Sequence, residues 1–164
     1  MPTFATLWRN HPTSEGGAPL LDKKVYENQC AINLSAACMR SDMSLMGYPG
    51  ALSWEKNKPR YALRAQELAN WFTTRQSHLN AKVHKYGGNE VFEVIKNKTG
   101  VIFFQNYWGP GHQGDHIDLW NGSRLTDWSS WVRIHARIGS FGIHSVSTLS
   151  DLEKSQSVWF WELP

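Results

Sequence analysis

Apolar residues recur at helical spacing in three segments of the first half of the chain, which predicts three helices. The first ends before Pro12. The second begins after Asn28, a good N-cap residue, and ends before Gly47. The third lies in YALRAQELANWFTT, residues 61–74. The positions that keep this spacing are Phe4, Leu7, Trp8 and His11, then Cys30, Leu34, Ala37 and Cys38, then Ala62, Ala65, Leu68, Ala69 and Phe72.

From Asn89 onward the pattern changes to the alternation that is typical of β-strands. Val91, Glu93 and Ile95 alternate in polarity, VIFFQ follows a glycine, DHIDLWNG alternates into a turn, and VWFWEL lies at the end. Helices first and antiparallel strands second predict an α+β fold, with N-terminal helices packed on an antiparallel sheet. We expect one domain over residues 1–164, since the sequence has no internal repeat or linker.

Composition narrows the possible partners. The 17 basic and 14 acidic residues give a net charge of only +3, and the basic residues are scattered, which argues against a nucleic-acid partner. No segment approaches the roughly 20 apolar residues of a membrane span, and the N-terminus lacks a signal-peptide pattern. We therefore expect the chain to be synthesised in the cytoplasm and not to insert into a membrane. The nine tryptophans predict a tryptophan-rich core, with a face that stacks on sugar or peptide as the alternative.

The two cysteines lie on one predicted helix and need separate explanations. Eight residues of helix separate Cys30 from Cys38 by about 12 Å, too far for a disulfide. Cys30 falls in the first turn, where unpaired N–H groups and the helix dipole stabilise a thiolate. Cys38 lies deeper on the apolar face and is predicted to be an inert core thiol. A buried, inert Cys30 is the alternative, so a nearby base is needed to decide.

A predicted hairpin supplies that base. Asn121-Gly122 favours a two-residue type I′ turn, which pairs Trp120 with Ser123 and, further out, His116 with Asp127. Directly opposed side chains have Cβ atoms about 5 Å apart, so a carboxylate at 127 can hold the imidazole. Asp118, two residues along the same strand, is the alternative partner.

Two other interpretations of these residues stay open. Asp127 can cap a helical turn at Trp128 instead of, or in addition to, holding His116. His112, His116 and Asp118 also form an HxxxHxD pattern that is similar to a metal-ligand set, although short patterns of this kind arise often by chance. We predict no metal site. The remaining histidines have no partner pattern.

Four segments in the order YENQCAINLS, GYPGA, HIDLWNGS…D and WFWELP resemble the fourth family of type VI secretion amidase effectors. The resemblance implies a papain-like, NlpC-like cysteine peptidase fold that needs no cofactor. It implies that Cys30 is the nucleophile, His116 the base and Asp127 the orienting acid. Its expected reaction is hydrolysis of the bond between D-glutamate and meso-diaminopimelate in peptidoglycan stem peptides.

The resemblance also implies partners and a place of action. We expect secretion-apparatus proteins to deliver the chain into the periplasm of a target bacterium, and a cognate immunity protein to cover the active site. Asn28, Gln29, Trp108 and Gly114 are the predicted substrate-binding residues. Gln29 stands where relatives have a small residue, and it either polarises the substrate carbonyl or only occupies the helix start. The alternative functions are another papain-like hydrolase or acyltransferase, or a non-catalytic wall-binding module.

Overall fold

Three helices precede most of the sheet. A computed structural model of the protein describes residues 2–14, 16, 18–87, 91–105, 115–127 and 157–164. Helix α1 spans Phe4–Asn10, α2 spans Cys30–Arg40 and α3 spans Ala65–Phe72. All three predicted helices are confirmed, although α3 is shorter at both ends than the apolar pattern suggested.

Within the described residues, four strands form one antiparallel sheet. Strand β1 spans Val83–Gly87, β2 spans Gly100–Gln105, β3 spans His116–Trp120 and β4 spans Ser157–Glu162. The strand order is β1-β4-β2-β3, and each neighbouring pair is antiparallel. The α+β prediction is therefore confirmed, and β3 lies at an edge of the sheet.

The sheet is covered on both faces, which explains its continuous apolar runs. In β2, Val101 and Phe103 pack in the main core with α2 and α3, while Ile102 and Phe104 belong to a second core. A short helix, α4 at Val91–Ile95, contributes to that second core. Alternation along β2 therefore assigns successive side chains to opposite cores.

Most described tryptophans lie in these cores. Trp71, Trp120, Trp159 and Trp161 are buried, whereas Trp54 is 67% exposed. The prediction of a tryptophan-rich core is confirmed for these four residues.

Two local predictions are wrong. Residues 91–95 form a helix instead of a strand, because Val91 and Ile95, four residues apart, are both buried on one helical face. Helix α2 begins one residue later than predicted. Its N-cap is Gln29, which makes no side-chain capping bond, and not Asn28.

The predicted hairpin register is also wrong. Trp120 pairs with Leu125 in an isolated bridge, so four residues lie between the paired positions and not two. The Asn121 side chain explains the longer loop, since its Oδ1 accepts hydrogen bonds from the N–H groups of Ser123 and Arg124. Gly122 has the predicted positive φ, at +94°, but Asn121 does not, so the turn is not type I′.

Helix α2 is held from both sides. Near its C-terminus, the Asn10 amide at the end of α1 donates to the Arg40 carbonyl and to the Ser41 hydroxyl, each at 2.9 Å. At its N-terminus, Cys30 packs against the main core beside β3. The first turn of α2 is thereby fixed against the edge strand. Within the described parts of the chain, no helix is long and apolar enough to cross a membrane.

Candidate active site

A cleft of about 190 Å³ lies between the start of α2 and the start of β3. Five predicted site residues line it: Asn28, Gln29, Cys30, His116 and Asp127. The other two, Trp108 and Gly114, lie outside the described residues. These residues are far apart in the sequence, and they were predicted independently, from a helix start and from a strand. The structure brings them together at one surface.

Cys30 is the first residue of α2 and is partly exposed to the cleft. Its Sγ lies 3.9 Å from the carbonyl oxygen of Asp115. The first N–H groups of a helix have no partner within the helix, and together with the dipole they favour negative charge at this position. The site can therefore stabilise a thiolate and, next to it, an oxyanion.

Cys38 has the opposite environment. Its side chain is fully buried in the main core, and burial raises the pKa of the thiol to about 12. Both cysteines are free. The prediction that Cys38 is an apolar core thiol is confirmed.

His116 is the first residue of β3, and its side chain is 12% exposed. Its Nε2 lies 3.5 Å from Oδ2 of Asp118, an ion-pair contact, and its ring lines the same cleft as Cys30. Burial alone would lower the pKa of His116. Asp118 and Cys30 outweigh burial and raise the pKa to about 10. The imidazole is therefore protonated at neutral pH, ready to pair with a thiolate.

Asp118 is a buried carboxylate surrounded by donors. Its Oδ1 accepts hydrogen bonds from the Leu119 N–H and the Thr126 hydroxyl, and its Oδ2 accepts one from the Asp127 N–H at 3.2 Å. Burial alone would raise the pKa of Asp118, but the neighbouring histidines and hydrogen bonds lower it below the usual range. Asp118 is thus ionised and rigidly held behind His116.

The hairpin does not pair Asp127 with His116. The cross-strand pairing that predicted Asp127 as the partner of the imidazole is therefore wrong. Asp118 is the carboxylate that contacts the Nε2 of His116. His116 and Asp118 are two residues apart on β3, so their side chains share a face. The distance between their polar atoms is shorter than it would be if the two side chains were parallel. Asp127 lies past the bridged Leu125, where its backbone supports Asp118 while the residue lines the cleft.

Gln29 has a structural role at the helix start. Its side-chain amide donates to the carbonyl oxygens of Tyr26, at 2.7 Å, and Leu21, at 3.3 Å. These bonds fix the loop that leads into Cys30. Of the two roles predicted for Gln29, the hydrogen bonds favour occupation of the helix start.

Sequence reasoning missed His11. This residue follows the last turn of α1 and is 4% exposed, with its Nε2 at 3.6 Å from Oδ1 of Asp118. It lines the same cleft as Cys30. Its helical spacing indicated only a buried face, and nothing nearby in sequence connected it with Asp118.

The metal alternative gains no support. Among the described residues, no group of three or more histidine, cysteine, aspartate or glutamate side chains is arranged to hold a metal ion. His112, one member of the HxxxHxD pattern, lies outside them.

A protein-family model covers most of the chain. The family model Tae4, described as type VI secretion system (T6SS), amidase effector protein 4, matches residues 26–161. The chain belongs to the Tae4 family. Membership makes it an amidase effector of type VI secretion, an antibacterial hydrolase of peptidoglycan. The resemblance inferred from the four sequence segments is confirmed.

Solved Tae4 structures have the same fold. The crystal structure of Tae4 from Enterobacter cloacae gives a TM-score of 0.67 at 18% identity, covering 100% of this chain and 98% of that one. The Tae4–Tai4 effector–immunity structure from Salmonella typhimurium gives 0.65 at 16% identity, covering 100% and 99%. No curated protein matches the chain.

Proposed function

We propose that the chain is a papain-like, NlpC-like cysteine amidase in a single domain, residues 1–164. Cys30 is its nucleophile and His116 its general base. The main support is the meeting of a partly exposed thiol at a helix N-terminus with a histidine whose pKa is raised by a buried carboxylate. A nucleophile and a base at one cleft, with a carboxylate in contact with the base, are the arrangement that cysteine hydrolysis requires.

The reaction proceeds through a thioester. The Cys30 thiolate attacks the amide carbonyl, and N–H groups of the first turn of α2 stabilise the oxyanion. The His116 imidazolium gives its proton to the departing amine as the C–N bond breaks. His116 then takes a proton from the water that attacks the thioester, and the C–S bond breaks, which releases the acid product and restores the Cys30 thiolate beside the His116 imidazolium.

Both carboxylates have a part in this proposal. Asp118 contacts Nε2 and holds the ring, which leaves Nδ1 for the thiol. Asp127 is the acid that the family resemblance implies, and its position at the cleft agrees with a role there. Its N–H donates to Oδ2 of Asp118, so the two residues form one connected unit around His116.

The proposed substrate is the D-glutamyl–meso-diaminopimelate bond of the peptidoglycan stem. This choice follows from the family resemblance. Asn28 and Gln29 at the cleft, with Trp108 and Gly114, are the proposed substrate contacts. Lys23 also lines the cleft, and its positive charge suits a peptide that carries several carboxylates.

Delivery and protection follow from family membership. Structures of Tae4 from Enterobacter cloacae and from Salmonella typhimurium contain the immunity protein Tai4. We propose that this chain has a corresponding immunity partner that covers Cys30 and His116. Its site of action is the periplasm of the target bacterium, where type VI secretion delivers it and peptidoglycan is accessible.

Alkylation separates an amidase from a non-catalytic wall-binding module. Iodoacetamide at neutral pH should label Cys30 before Cys38. The fraction of amidase activity that is lost should equal the fraction of Cys30 that is labelled. The matched control is Cys38→Ala, which should be inactivated at the same rate. An inert Cys30, or full activity after its alkylation, would contradict the proposal.

Hydrolysis in ¹⁸O-water should add one label to the new carboxylate, whereas acyl transfer would not.

A further inference from the structure

His11 contacts the carboxylate oxygen of Asp118 that His116 does not contact. Its Nε2 lies 3.6 Å from Oδ1, whereas the Nε2 of His116 lies 3.5 Å from Oδ2. Asp118 thus separates two imidazoles, one on each carboxylate oxygen. The Nε2 atoms of both histidines are buried and have no hydrogen-bond partner among the described residues, so each has the capacity for an interaction with Asp118.

The tautomer of His11 is fixed by a neighbour. The Thr13 N–H lies 3.3 Å from Nδ1 of His11, and the Thr13 hydroxyl lies 2.9 Å from the same atom. A backbone N–H can only donate, so Nδ1 is the acceptor and Nε2 bears the proton in the neutral ring. His11 therefore directs an N–H toward Asp118.

The charge of His11 also suits this role. The titratable and charged groups that act on its ring are Asp118, His116, Asp127 and Arg40. Burial lowers the pKa of His11, although Asp118 opposes this, and the ring is neutral near pH 7. A neutral donor can orient the carboxylate without placing a second positive charge beside the His116 imidazolium.

The backbone holds this donor in place. His11 is the C-cap of α1, where its N–H donates to the Trp8 carbonyl, and its own carbonyl accepts from the N–H and hydroxyl of Ser14. The ring is therefore positioned before substrate arrives, as a fixed residue behind a catalytic carboxylate must be.

We propose that His11 is a positioning residue of the amidase, which holds Asp118 so that Oδ2 faces His116. This inference rests on the proposed function, since it assigns His11 a part in that reaction. His11 does not reach the reacting atoms. Its effect is transmitted through Asp118 to the thiolate–imidazolium pair.

The test compares two amides at position 11. Glutamine can place a side-chain N–H₂ near the former Nε2, whereas asparagine reaches only the position of Nδ1. We expect His11→Asn to lower kcat about tenfold with KM within about twofold, because the electrostatic contact of Nε2 with Oδ1 is lost. His11→Gln should recover kcat to within about threefold of wild type. His84→Asn, at an exposed position on β1, is the matched control and should behave as wild type.

A second readout does not need peptidoglycan. The rate of Cys30 alkylation against pH reports the thiolate–imidazolium pair, and a loosened Asp118 lowers the pKa of His116. The alkaline limb of that profile should move to lower pH by at least about half a unit in His11→Asn but not in His11→Gln. In wild-type protein, ¹⁵N spectra should show the Nε2–H tautomer of His11, a measurement that depends on no variant.

Three results would overturn the role of His11. These are an unshifted profile with normal kcat in His11→Asn, equal losses in both amide variants, or an Nδ1–H tautomer in the wild type. Failure of the proposed function looks different, because Cys30→Ala and His116→Gln would then keep amidase activity whatever the His11 variants do.

Discussion

At the scale of single residues, the two cysteines share a helix but differ in environment. Cys30 lies at the N-terminus beside His116, and Cys38 is fully buried. We expect Cys30→Ala to abolish amidase activity with the fold intact. Cys38→Ala should keep most activity and lose about 1–2 kcal/mol of unfolding free energy, because it leaves a small cavity. Turnover assays and urea melts check both, and the reverse pattern would exchange the assignments.

His116 should make stability depend on pH. Its pKa is raised from 6.5 to about 10 in the folded protein. The folded state therefore keeps a proton that the unfolded state loses between these values, so the stabilisation is full below pH 6.5 and disappears as pH rises toward 10. In urea melts, the stability difference between wild type and His116→Gln should shrink across this window. A difference that stays constant or grows with pH would contradict the raised pKa.

The sequence was sufficient to select Cys30 and His116, which the structure brings to one cleft, because each is marked locally, by a helix start or by a strand beside a turn. It was not sufficient for His11. The link from His11 to Asp118 joins the end of α1 to the edge strand, and only tertiary packing brings them within 3.6 Å. Local patterns contain no information on such a contact.

At the scale of elements, the strand and loop that hold the carboxylates decide their roles. The isolated bridge between Trp120 and Leu125 closes the Asn121 loop. In this arrangement Asp118 contacts His116, and Asp127 lines the cleft. Asp118→Asn should lower kcat at least about tenfold and also destabilise the fold, since a buried carboxylate with several donors is replaced. Asp127→Asn should lower kcat with a much smaller stability change. Kinetics and thermal melts of both variants provide the comparison.

Equal stability losses would contradict this division between a buried and a cleft carboxylate. Full activity in Asp127→Asn would remove that residue from the site and leave Asp118 as the orienting acid.

Prediction of the elements succeeded where periodicity was long and failed where it was short. The eleven residues of α2 and the apolar runs of β2 and β4 gave unambiguous patterns. The five residues of α4 fit both periods, since apolar residues at 91 and 95 satisfy a strand and a helical turn equally. The register of the hairpin that follows β3 depends on the Asn121 side chain, because its hydrogen bonds to the backbone of Ser123 and Arg124 lengthen the loop.

At the scale of the whole molecule, the cleft is the surface that an inhibitor must cover. We expect the immunity partner to protect Cys30 from iodoacetamide in the complex, because Cys30 and His116 line one opening. Mass spectrometry of the labelled complex measures this, with the free chain as reference. Unchanged labelling of Cys30 in a fully formed complex would show that inhibition works from another surface.

Cys30 is the proposed nucleophile for cleavage of one peptidoglycan bond. The most direct test of this role is mass spectrometry of purified sacculi digested with wild type and with Cys30→Ala. Wild type should release fragments ending in D-glutamate together with fragments that begin with a free meso-diaminopimelate amine, and Cys30→Ala should release neither. Cleavage at a different bond would contradict the proposed specificity, and cleavage that survives the loss of Cys30 would contradict the cysteine mechanism.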